Sequence, residues 1–312
     1  MTFHVVHLFE HGSYLYKKRG RLYCQMQGGR ERSLPIENIR AIIVAARGIT
    51  FSSQLVSSLA SSNCLVLHCD EKFKPIAATM PLSRVINQRI LETQCASRGG
   101  FHVACWKSIL ESKIRNQASL LDLLSKVANP LDDMVKNANF DEARAAKIYF
   151  SRYFHVMGAV KQNRANRQVG WLNALLNYGY AVLSALVHRA IVVHGLIPQL
   201  GIHHKPRYGT WPLVYDLMEP FRAVVDAHVW TFCDEERCAS EFSLLETFAR
   251  FIGTELKDFR VTHKRYDIKL VDAIDFMVRS FATACEKRNA AEFWVPQFLP
   301  AQYEAIHFDE QK

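Results

Sequence analysis

At 312 residues, the chain is longer than a single hydrophobic core usually supports, which predicts one large domain or two modest ones. Hydrophobic residues make up 49% of the sequence and charged residues 22%, which argues against an intrinsically disordered chain. The net charge is +9, no run of eighteen apolar residues occurs, and the N-terminus lacks a signal-peptide pattern. We therefore expect a soluble, cytoplasmic protein without a membrane span.

The first eighty residues have the pattern of short strands. Runs such as HVVHLFE, SYLYKK and RLYCQM are separated by glycine-containing breaks that are typical of hairpins. A short helix is predicted at SSQLVSSLASS, with Ser52 and Ser53 as its start, and strands are predicted on either side of it. Since Pro81 interrupts this pattern, we predict a β-rich domain at residues 1–80 and a linker at 81–88.

Residues 89–312 have helical spacing instead. A helix begins near Glu142, and a long buried helix stops at Gly195 with Pro198 beyond it, a common C-terminal signal. Further helices are predicted at roughly 213–232, 239–253 and 267–289. The sequence therefore predicts an α+β protein, with a small β domain followed by a larger, all-helical domain.

Two cysteine pairs share the spacing Cys-x4-Cys, namely Cys64 with Cys69 and Cys233 with Cys238. Four thiolates could form a zinc site. However, CLVLHC resembles a strand, in which side chains alternate between faces, so both cysteines of that pair would not point the same way. We expect free thiols.

Positive charge is concentrated in the first half of the chain. Residues 1–80 carry a net charge of +5 and residues 81–170 a net charge of +7, whereas residues 171–312 carry −3. A local excess of cations suits a polyanionic partner, most simply nucleic acid. Solubility alone is the simpler explanation of the same charge.

The stretch GIHHKPRYGTWPLVYDLMEPFR contains two carboxylates in an apolar setting. Asp216 and Glu219 are three residues apart, so on a helix their Cβ atoms would be about 5–6 Å apart, and the carboxylates would repel unless a cation or proton lay between them. Pro220 lies in the same helical pattern and is expected to bend the helix there. A solvated helix face is the alternative interpretation of such a pair.

His203 and His204 precede this helix and are predicted to lie in a loop or at a helix start. Neighbouring histidines usually point in different directions, so at most one would join a site with the carboxylates. A structural role is the commoner outcome for a histidine.

Glu142 opens the segment EARAAKIYF. A glutamate at a helix start ordinarily interacts with the helix dipole. Cations follow it, however, including Lys161, Arg164 and Arg167 in the next loop, and a carboxylate among them could hold a divalent ion beside bound phosphates. The two interpretations are evenly balanced on composition. The sequence contains no G-x-x-x-x-G-K-[ST], G-x-G-x-x-G, G-x-S-x-G or H-E-x-x-H motif.

Several of these segments together resemble one family, the CRISPR-associated endonuclease and integrase Cas1, which inserts new spacers. The resemblance covers nearly the whole chain. It extends from GSYLYKKRGRLYCQ and the LPIENIRAIIVAARGITFSSQLVSSLASSNCLVLHCDE block, through ESKIRNQASLL and EARAAKIYF, to LNALLNYGYAVLSALVHRAIVVHGLIPQLGIHH and YDLMEPFRAVVD. It implies that residues 1–80 are a β-sandwich used for dimerisation and assembly, and that residues 89–312 are the catalytic domain.

The resemblance also implies the site residues. The family's metal ligands, a glutamate, a histidine and an acidic residue, match Glu142, His204 and Glu219, with His203 as the alternative histidine. Asp216 matches a supporting acidic position. Arg207 matches a basic position near DNA, and Lys161, Arg164 and Arg167 are expected to contact DNA as well.

Two carboxylates and one neutral imidazole would balance the charge of Mg²⁺ or Mn²⁺ and leave about three coordination positions for water and phosphate oxygens. The resemblance implies that a DNA 3′-hydroxyl attacks a phosphodiester at the repeat end and joins captured double-stranded DNA to the array. It further implies a homodimer and a small second subunit, Cas2. The competing hypotheses are a non-catalytic DNA-binding scaffold and a nuclease of an unrelated helical family.

Overall fold

The structure is a computed structural model that describes most of the chain. The described residues are 4–70, 75–81, 87–96, 99–125, 129–138, 140–157, 170–205, 211–234, 241–263, 266–298 and 302–303.

The described residues of the N-terminal part form eight strands, one α-helix and a turn of 3-10 helix at Ile36–Asn38. Strands β1 to β8 lie at His4–Leu8, Tyr14–Lys18, Arg21–Gln25, Glu31–Pro35, Ile39–Val44, Thr50–Phe51, Leu65–Cys69 and Pro75–Thr79. They form two four-stranded sheets, in the orders β1-β5-β7-β8 and β4-β3-β2-β6. Between β2 and β3, Arg19 and Gly20 both have positive φ, which matches the two-residue turn that joins twisted antiparallel strands. The predicted β-rich start of the chain is confirmed.

Helix α1 (Ser53–Ser61) joins the two sheets through a small hydrophobic core. It begins as predicted, because the Ser52 side chain accepts a hydrogen bond from the Leu55 amide and so caps the first turn. Leu55 and Leu59 are buried in one cluster with residues of both sheets, including Leu15 and Ile42. The face-to-face sandwich stays a prediction.

The described cysteines are free thiols. Cys64 is buried in the small core, whereas Cys69 packs against the large core on the other side of the sheet. The alternation along β7 therefore separates this pair, as expected from its spacing. Cys238, of the second pair, lies outside the described residues.

The rest of the described chain is mostly helical. Helices α2 to α10 lie at Gln88–Cys95, Gly100–Leu124, Pro130–Lys136, Glu142–Val156, Trp171–Val193, Pro212–Met218, Arg222–Asp234, Glu241–Asp258 and Leu270–Lys287. The large core joins these helices to one face of the first sheet, through residues such as Ile43 and Leu67.

One part of the all-helical prediction is wrong. Strands β9 (Arg260–His263) and β10 (Tyr266–Lys269) form an antiparallel pair where we predicted only helix from residue 267 onward. The segment is rich in β-branched and aromatic residues, which favour strands. Phe259 accepts a hydrogen bond from the Leu270 amide, and this bond closes the base of the pair.

Helix α6 (Trp171–Val193) forms the centre of the helical part and ends as predicted. Gly195 has a positive φ of 72°, and the Leu196 and Gly195 amides donate to the carbonyls of Ile191 and Val192, which completes a Schellman motif. Among the described residues, α6 is the one helix that is long and apolar enough to cross a membrane, but 89% of its apolar window is buried inside the protein. Such burial is typical of a helix in the core of a folded domain.

The helix that we predicted at residues 213–232 is interrupted at Pro220. Helix α7 ends at Met218, a turn of 3-10 helix spans Glu219–Phe221, and α8 begins at Arg222. Proline cannot donate the backbone hydrogen bond that a continuous helix needs. The interruption directs Glu219 toward α3.

Candidate active site

The ammonium group of Lys113 lies between two of the predicted ligands. Its Nζ atom is 2.9 Å from Oε1 of Glu142 and 2.8 Å from Oε2 of Glu219. Lys113 is 8% exposed and Glu219 is 5% exposed, so the contact between these two side chains is shielded from water. Two carboxylates that are 77 residues apart in sequence therefore meet at a single positive charge.

Three elements bring these groups together. Lys113 is in the middle of α3 (Gly100–Leu124), and Glu142 is the first residue of α5, whose N-cap Asp141 accepts a hydrogen bond from the Arg144 amide. Asn116, one turn after Lys113, donates to the carbonyl of Pro220 at a distance of 2.8 Å. The interrupted helix is thus fixed to α3 directly beside Glu219.

Arg222 supplies a second positive charge to Glu219. Its Nε atom is 2.9 Å from Oε1 of Glu219. Burial opposes ionisation of Glu219, but Arg222 and Lys113 outweigh that effect and lower the pKa of the carboxyl to about 2. Burial likewise opposes the charge of Lys113, yet Glu219 and Glu142 outweigh it and raise the pKa of its ammonium. Lys113 and Glu219 are therefore both ionised at neutral pH.

Asp216 organises the loop that carries the two histidines. Its carboxylate is fully buried and accepts hydrogen bonds from the backbone amides of Ile202, His203 and His204, at 2.6, 2.9 and 3.2 Å. Nδ1 of His204 also donates to Oδ1 of Asp216 at 2.5 Å, so the ring has a fixed orientation. The charged hydrogen bonds explain how a carboxylate can be buried here.

The electrostatics connect His204 to the two glutamates. The hydrogen bond to Asp216 raises the pKa of His204 against the opposing effect of burial, and the charges of Asp216, Glu219 and Glu142 add to the increase. The charges of both glutamates thus act on the His204 ring. Since Nδ1 is bonded to Asp216, Nε2 is the atom through which the ring would bind a metal.

The adjacent His203 has different contacts. Its ring stacks on Trp106 of α3, with ring centroids 4.2 Å apart and an interplanar angle of 5°. Trp106 meets His204 edge-on, at 5.8 Å and 86°. The two histidines therefore point in different directions, and His204 is the one that faces Asp216.

Gly201 leaves the space that this loop requires. A Cβ atom at this position would lie 2.6 Å from Cβ of Pro212, 2.7 Å from the carbonyl oxygen of His204 and 2.9 Å from Oδ2 of Asp216. The His204 oxygen belongs to the loop, and Asp216 is the residue on α7 that accepts hydrogen bonds from the loop amides. A side chain at residue 201 would therefore push His204 and Asp216 apart.

A buried tyrosine network fixes α5 against α6 and α8. Asp226 accepts a hydrogen bond from Tyr149 at 2.6 Å and another from Tyr180, while Tyr153 donates to its backbone carbonyl at 2.8 Å. Arg222 lies over the Tyr180 ring, 4.8 Å from its centroid. The network connects the helix that begins at Glu142 to the helix that follows Glu219.

Not every predicted site residue is described. Glu142 and Glu219 meet at Lys113, and His204 lies on the loop that Asp216 holds, where the charges of both glutamates act on its ring. Within the described ranges, no three histidine, cysteine, aspartate or glutamate side chains are already grouped closely enough to hold a metal ion. The four predicted DNA-binding residues, Lys161, Arg164, Arg167 and Arg207, lie outside the described residues.

Sequence analysis missed three residues that contact the predicted ligands or their helix. Lys113, Asn116 and Arg222 were not identified. A signal was present in KIRNQ, because Lys113, Asn116 and Gln117 are separated by three and four residues and share one helix face. Polar residues at such spacing within an apolar helix indicate a buried polar site.

The donors suit a divalent cation. Lys113 shows that the two glutamates can share one positive charge, and carboxylate oxygens with an imidazole nitrogen are ligands that Mg²⁺ and Mn²⁺ accept. The remaining partner of Glu219, Arg222, can contact phosphate oxygens, for which its guanidinium is suited. The arrangement can therefore bind a cation and an anionic ester side by side.

Comparison with known proteins gives matches over most of the chain. The family model described as CRISPR associated protein Cas1 matches residues 6–252. A CRISPR-associated endonuclease Cas1 from Neisseria meningitidis serogroup C (strain 8013) is 30% identical over 314 residues, which cover 95% of this chain and 98% of that protein.

Two solved structures have a similar fold. A casposase bound to its integration product has a TM-score of 0.77 at 17% identity, covering 100% of this chain and 95% of its own. A Cas6-RT-Cas1–Cas2 complex has a TM-score of 0.71 at 15% identity, covering 95% of this chain and 36% of its own.

Proposed function

This chain belongs to the CRISPR-associated Cas1 family, and on that premise we propose that it is a metal-dependent DNA endonuclease and integrase of CRISPR adaptation. In this proposal it inserts captured double-stranded DNA into the repeat array. The observation that carries the proposal is the meeting of Glu142 and Glu219 at the buried ammonium of Lys113.

Glu142, His204 and Glu219 would hold one Mg²⁺ or Mn²⁺ ion, and Asp216 would keep the His204 ring in position. Such an ion polarises a phosphodiester and lowers the pKa of an attacking hydroxyl group. Because the ion would take over the charge that Lys113 provides between the carboxylates, Lys113 becomes available to an anionic oxygen. Together with Arg222, it would place fixed positive charge beside the reacting phosphate.

The reaction is a transesterification. The 3′-hydroxyl of the captured DNA attacks a phosphorus atom at the repeat end and forms a new phosphorus–oxygen bond. The bond from that phosphorus to the 3′-oxygen of the adjoining nucleotide breaks. The attacking hydroxyl group loses one proton and the released oxygen gains one, so the protons balance. With water as the attacking group, the same site would act as a nuclease.

The wider assembly is part of the proposal. We propose that Lys161, Arg164, Arg167 and Arg207 contact DNA phosphates. The exposed Arg144 and Lys147 of α5 extend positive charge along the surface beside Glu142, which supports a DNA track there. The chain would act in the cytoplasm as a homodimer that assembles through an N-terminal β-sandwich at residues 1–80. Cas2 would bridge two such dimers. The Cas6-RT-Cas1–Cas2 complex supports the Cas2 partner.

A non-catalytic DNA-binding scaffold is the alternative function. In this alternative, Glu142 and Glu219 have a purely structural role, and Lys113 is their permanent counterion. In that case DNA binding would be indifferent to divalent metal, and no strand would be cut or joined. The family membership makes the unrelated helical nuclease wrong.

A plasmid integration assay tests the proposed function. The protein and Cas2 are incubated with a supercoiled plasmid that carries a repeat array and a labelled DNA duplex with 3′-hydroxyl ends, in Mn²⁺, Mg²⁺ or EDTA. We expect label in the plasmid with either metal, none in EDTA, and none with Glu219→Gln. Glu92→Gln, on the surface of α2, is the matched control and should behave as the wild type. Joining in EDTA, or full joining by Glu219→Gln, would overturn the proposal.

A further inference from the structure

Next to the predicted metal ligands, two aromatic rings form a preformed stack. Trp106 and His203 are parallel within 5°, with centroids 4.2 Å apart. Trp106 lies two helical turns before Lys113 on α3, and His203 directly precedes His204. The stack is therefore formed by the two segments that carry Lys113 and His204.

The outer ring of this stack faces solvent. Trp106 covers one face of the His203 imidazole, while His203 itself is exposed. The His203 amide donates to Oδ2 of Asp216 at 2.9 Å, so the backbone that carries the ring is fixed as well. An exposed imidazole held in this way presents a flat, ordered surface, and a ligand that stacks on it loses less entropy than on a mobile ring.

The surroundings of the stack suit nucleic acid. Lys107 follows Trp106 and Lys205 follows His204, and both are exposed. Val103, one turn before Trp106 on α3, is an apolar residue with 65% exposure. Aromatic rings interspersed with cations are what proteins use to hold single-stranded or distorted DNA, since every base has a face that can stack.

We infer that the outer face of His203 is a stacking platform for a nucleobase that flanks the phosphodiester bound at the metal centre. The inference rests on the proposed function and deepens it, because it names a further substrate-contacting residue. The ring of His203 lies 5.6 Å from that of His204, at an interplanar angle of 83°. A base stacked on the His203 ring would thus lie beside the metal centre that His204 helps to form, and Trp106 packs against the opposite face of the His203 ring.

The experiment pairs protein variants with modified DNA. The variants are His203→Ala, which removes the ring, and His203→Phe, which keeps a flat ring without imidazole nitrogens. Strand joining is measured on intact repeat DNA and on a set of modified repeat DNAs. Each modified DNA carries a single abasic nucleotide, placed at one of the two positions before or the two positions after the joining site. A second readout uses 2-aminopurine at the same positions in EDTA, where its fluorescence reports stacking without any reaction.

We expect an abasic nucleotide at one of these positions to lower the rate of strand joining by the wild type about tenfold. On intact DNA, His203→Ala should also join strands about tenfold more slowly than the wild type. His203→Ala acting on that abasic DNA should be no slower than either change alone, because both changes remove the same contact. His203→Phe should retain most of the rate. Binding should quench 2-aminopurine at that position with the wild type and His203→Phe, but not with His203→Ala.

Three results would overturn the platform and leave His203 a purely structural residue. The first is a product of the two rate losses when His203→Ala acts on abasic DNA, and the second is a His203→Phe variant that joins strands as slowly as His203→Ala. The third is quenching of 2-aminopurine that His203→Ala does not change. These results are distinguishable from failure of the proposed function. If the protein joins no strands, the wild type yields no product on intact DNA, whereas the fluorescence measurement still reports on the stack.

Discussion

Oε2 of Glu219 lies 2.8 Å from Nζ of Lys113, in a contact that is almost fully buried. Breaking a buried ion pair on one side leaves an uncompensated charge, which is much more costly than losing a surface pair. The contact therefore links the stability of the metal-free protein to the place where a cation is proposed to bind.

Replacement of Lys113 should destabilise the metal-free protein and make it more responsive to metal. For Lys113→Met we expect the free energy of unfolding in EDTA to fall by about 3–5 kcal/mol, because Glu219 then keeps Arg222 as its one charged partner among the described residues. Mn²⁺ should restore more stability to this variant than to the wild type, since it can replace the lost charge. Denaturant titrations with and without Mn²⁺ measure both effects.

Lys287→Met is the matched control for that experiment. It removes a surface ion pair with Glu292, in which the lysine side chain is 56% exposed. The free energy of unfolding should therefore fall by less than about 1 kcal/mol. Equal stabilisation of the wild type and Lys113→Met by Mn²⁺ would show that Lys113 does not occupy the cation position.

Asp216→Asn should weaken metal binding while leaving all three proposed ligands in place. The amide offers one acceptor oxygen to a loop that uses both carboxylate oxygens, so the His204 ring loses its fixed orientation. Loss of a residue that orients a metal ligand typically lowers metal affinity 10- to 100-fold. Calorimetric titration with Mn²⁺ measures it, and an unchanged affinity would remove Asp216 from this role.

Gly201→Ala should disturb the histidine loop. The new methyl group would overlap Pro212 and the His204 carbonyl, and we expect a loss of about 1–3 kcal/mol in unfolding free energy together with reduced strand joining. At Gly100, the first residue of α3, an added Cβ meets nothing within 4 Å, so Gly100→Ala is the control. Similar stability of the two variants in thermal unfolding would contradict the proposed close approach.

His228 should make the protein less stable as the pH falls below about 6.5. Burial lowers the pKa of His228 to about 4 in the folded state, so the unfolded chain takes up this proton first on acidification. From pH 7.5 to pH 5, this difference removes about 2 kcal/mol of stability. His204 acts in the opposite direction, because its folded-state pKa is raised.

The contribution of His228 is therefore read from a comparison with His228→Gln. Between pH 7.5 and pH 5, the unfolding free energy of the wild type should fall by about 2 kcal/mol more than that of the variant. Parallel pH profiles would mean that His228 is not kept neutral by burial.

Local signals in the sequence predicted local structure well. The Ser52 cap, the helix that starts at Glu142 and the stop at Gly195 each depend on a few neighbouring residues, and all three are confirmed. The β9–β10 pair was missed, because short strands next to a helical pattern cannot be separated from it by periodicity alone.

The site was harder to predict, because it depends on long-range packing. The role of Lys113 arises only when α3 is placed against Glu142 and Glu219, which no local pattern encodes. The distinction between His203 and His204 likewise depends on Trp106, about a hundred residues earlier in the chain. The family resemblance supplied the three proposed ligands, whereas the counterion and the stacking partner became visible only in three dimensions.

The most direct test of the central claim, that Glu142, His204 and Glu219 hold one cation, is a Mn²⁺ titration followed by electron paramagnetic resonance. The wild type is compared with Glu142→Gln, His204→Gln and Glu219→Gln under the same conditions. We predict one tightly bound Mn²⁺ ion per chain in the wild type and its loss in each variant. A variant that binds Mn²⁺ as tightly as the wild type would contradict the account.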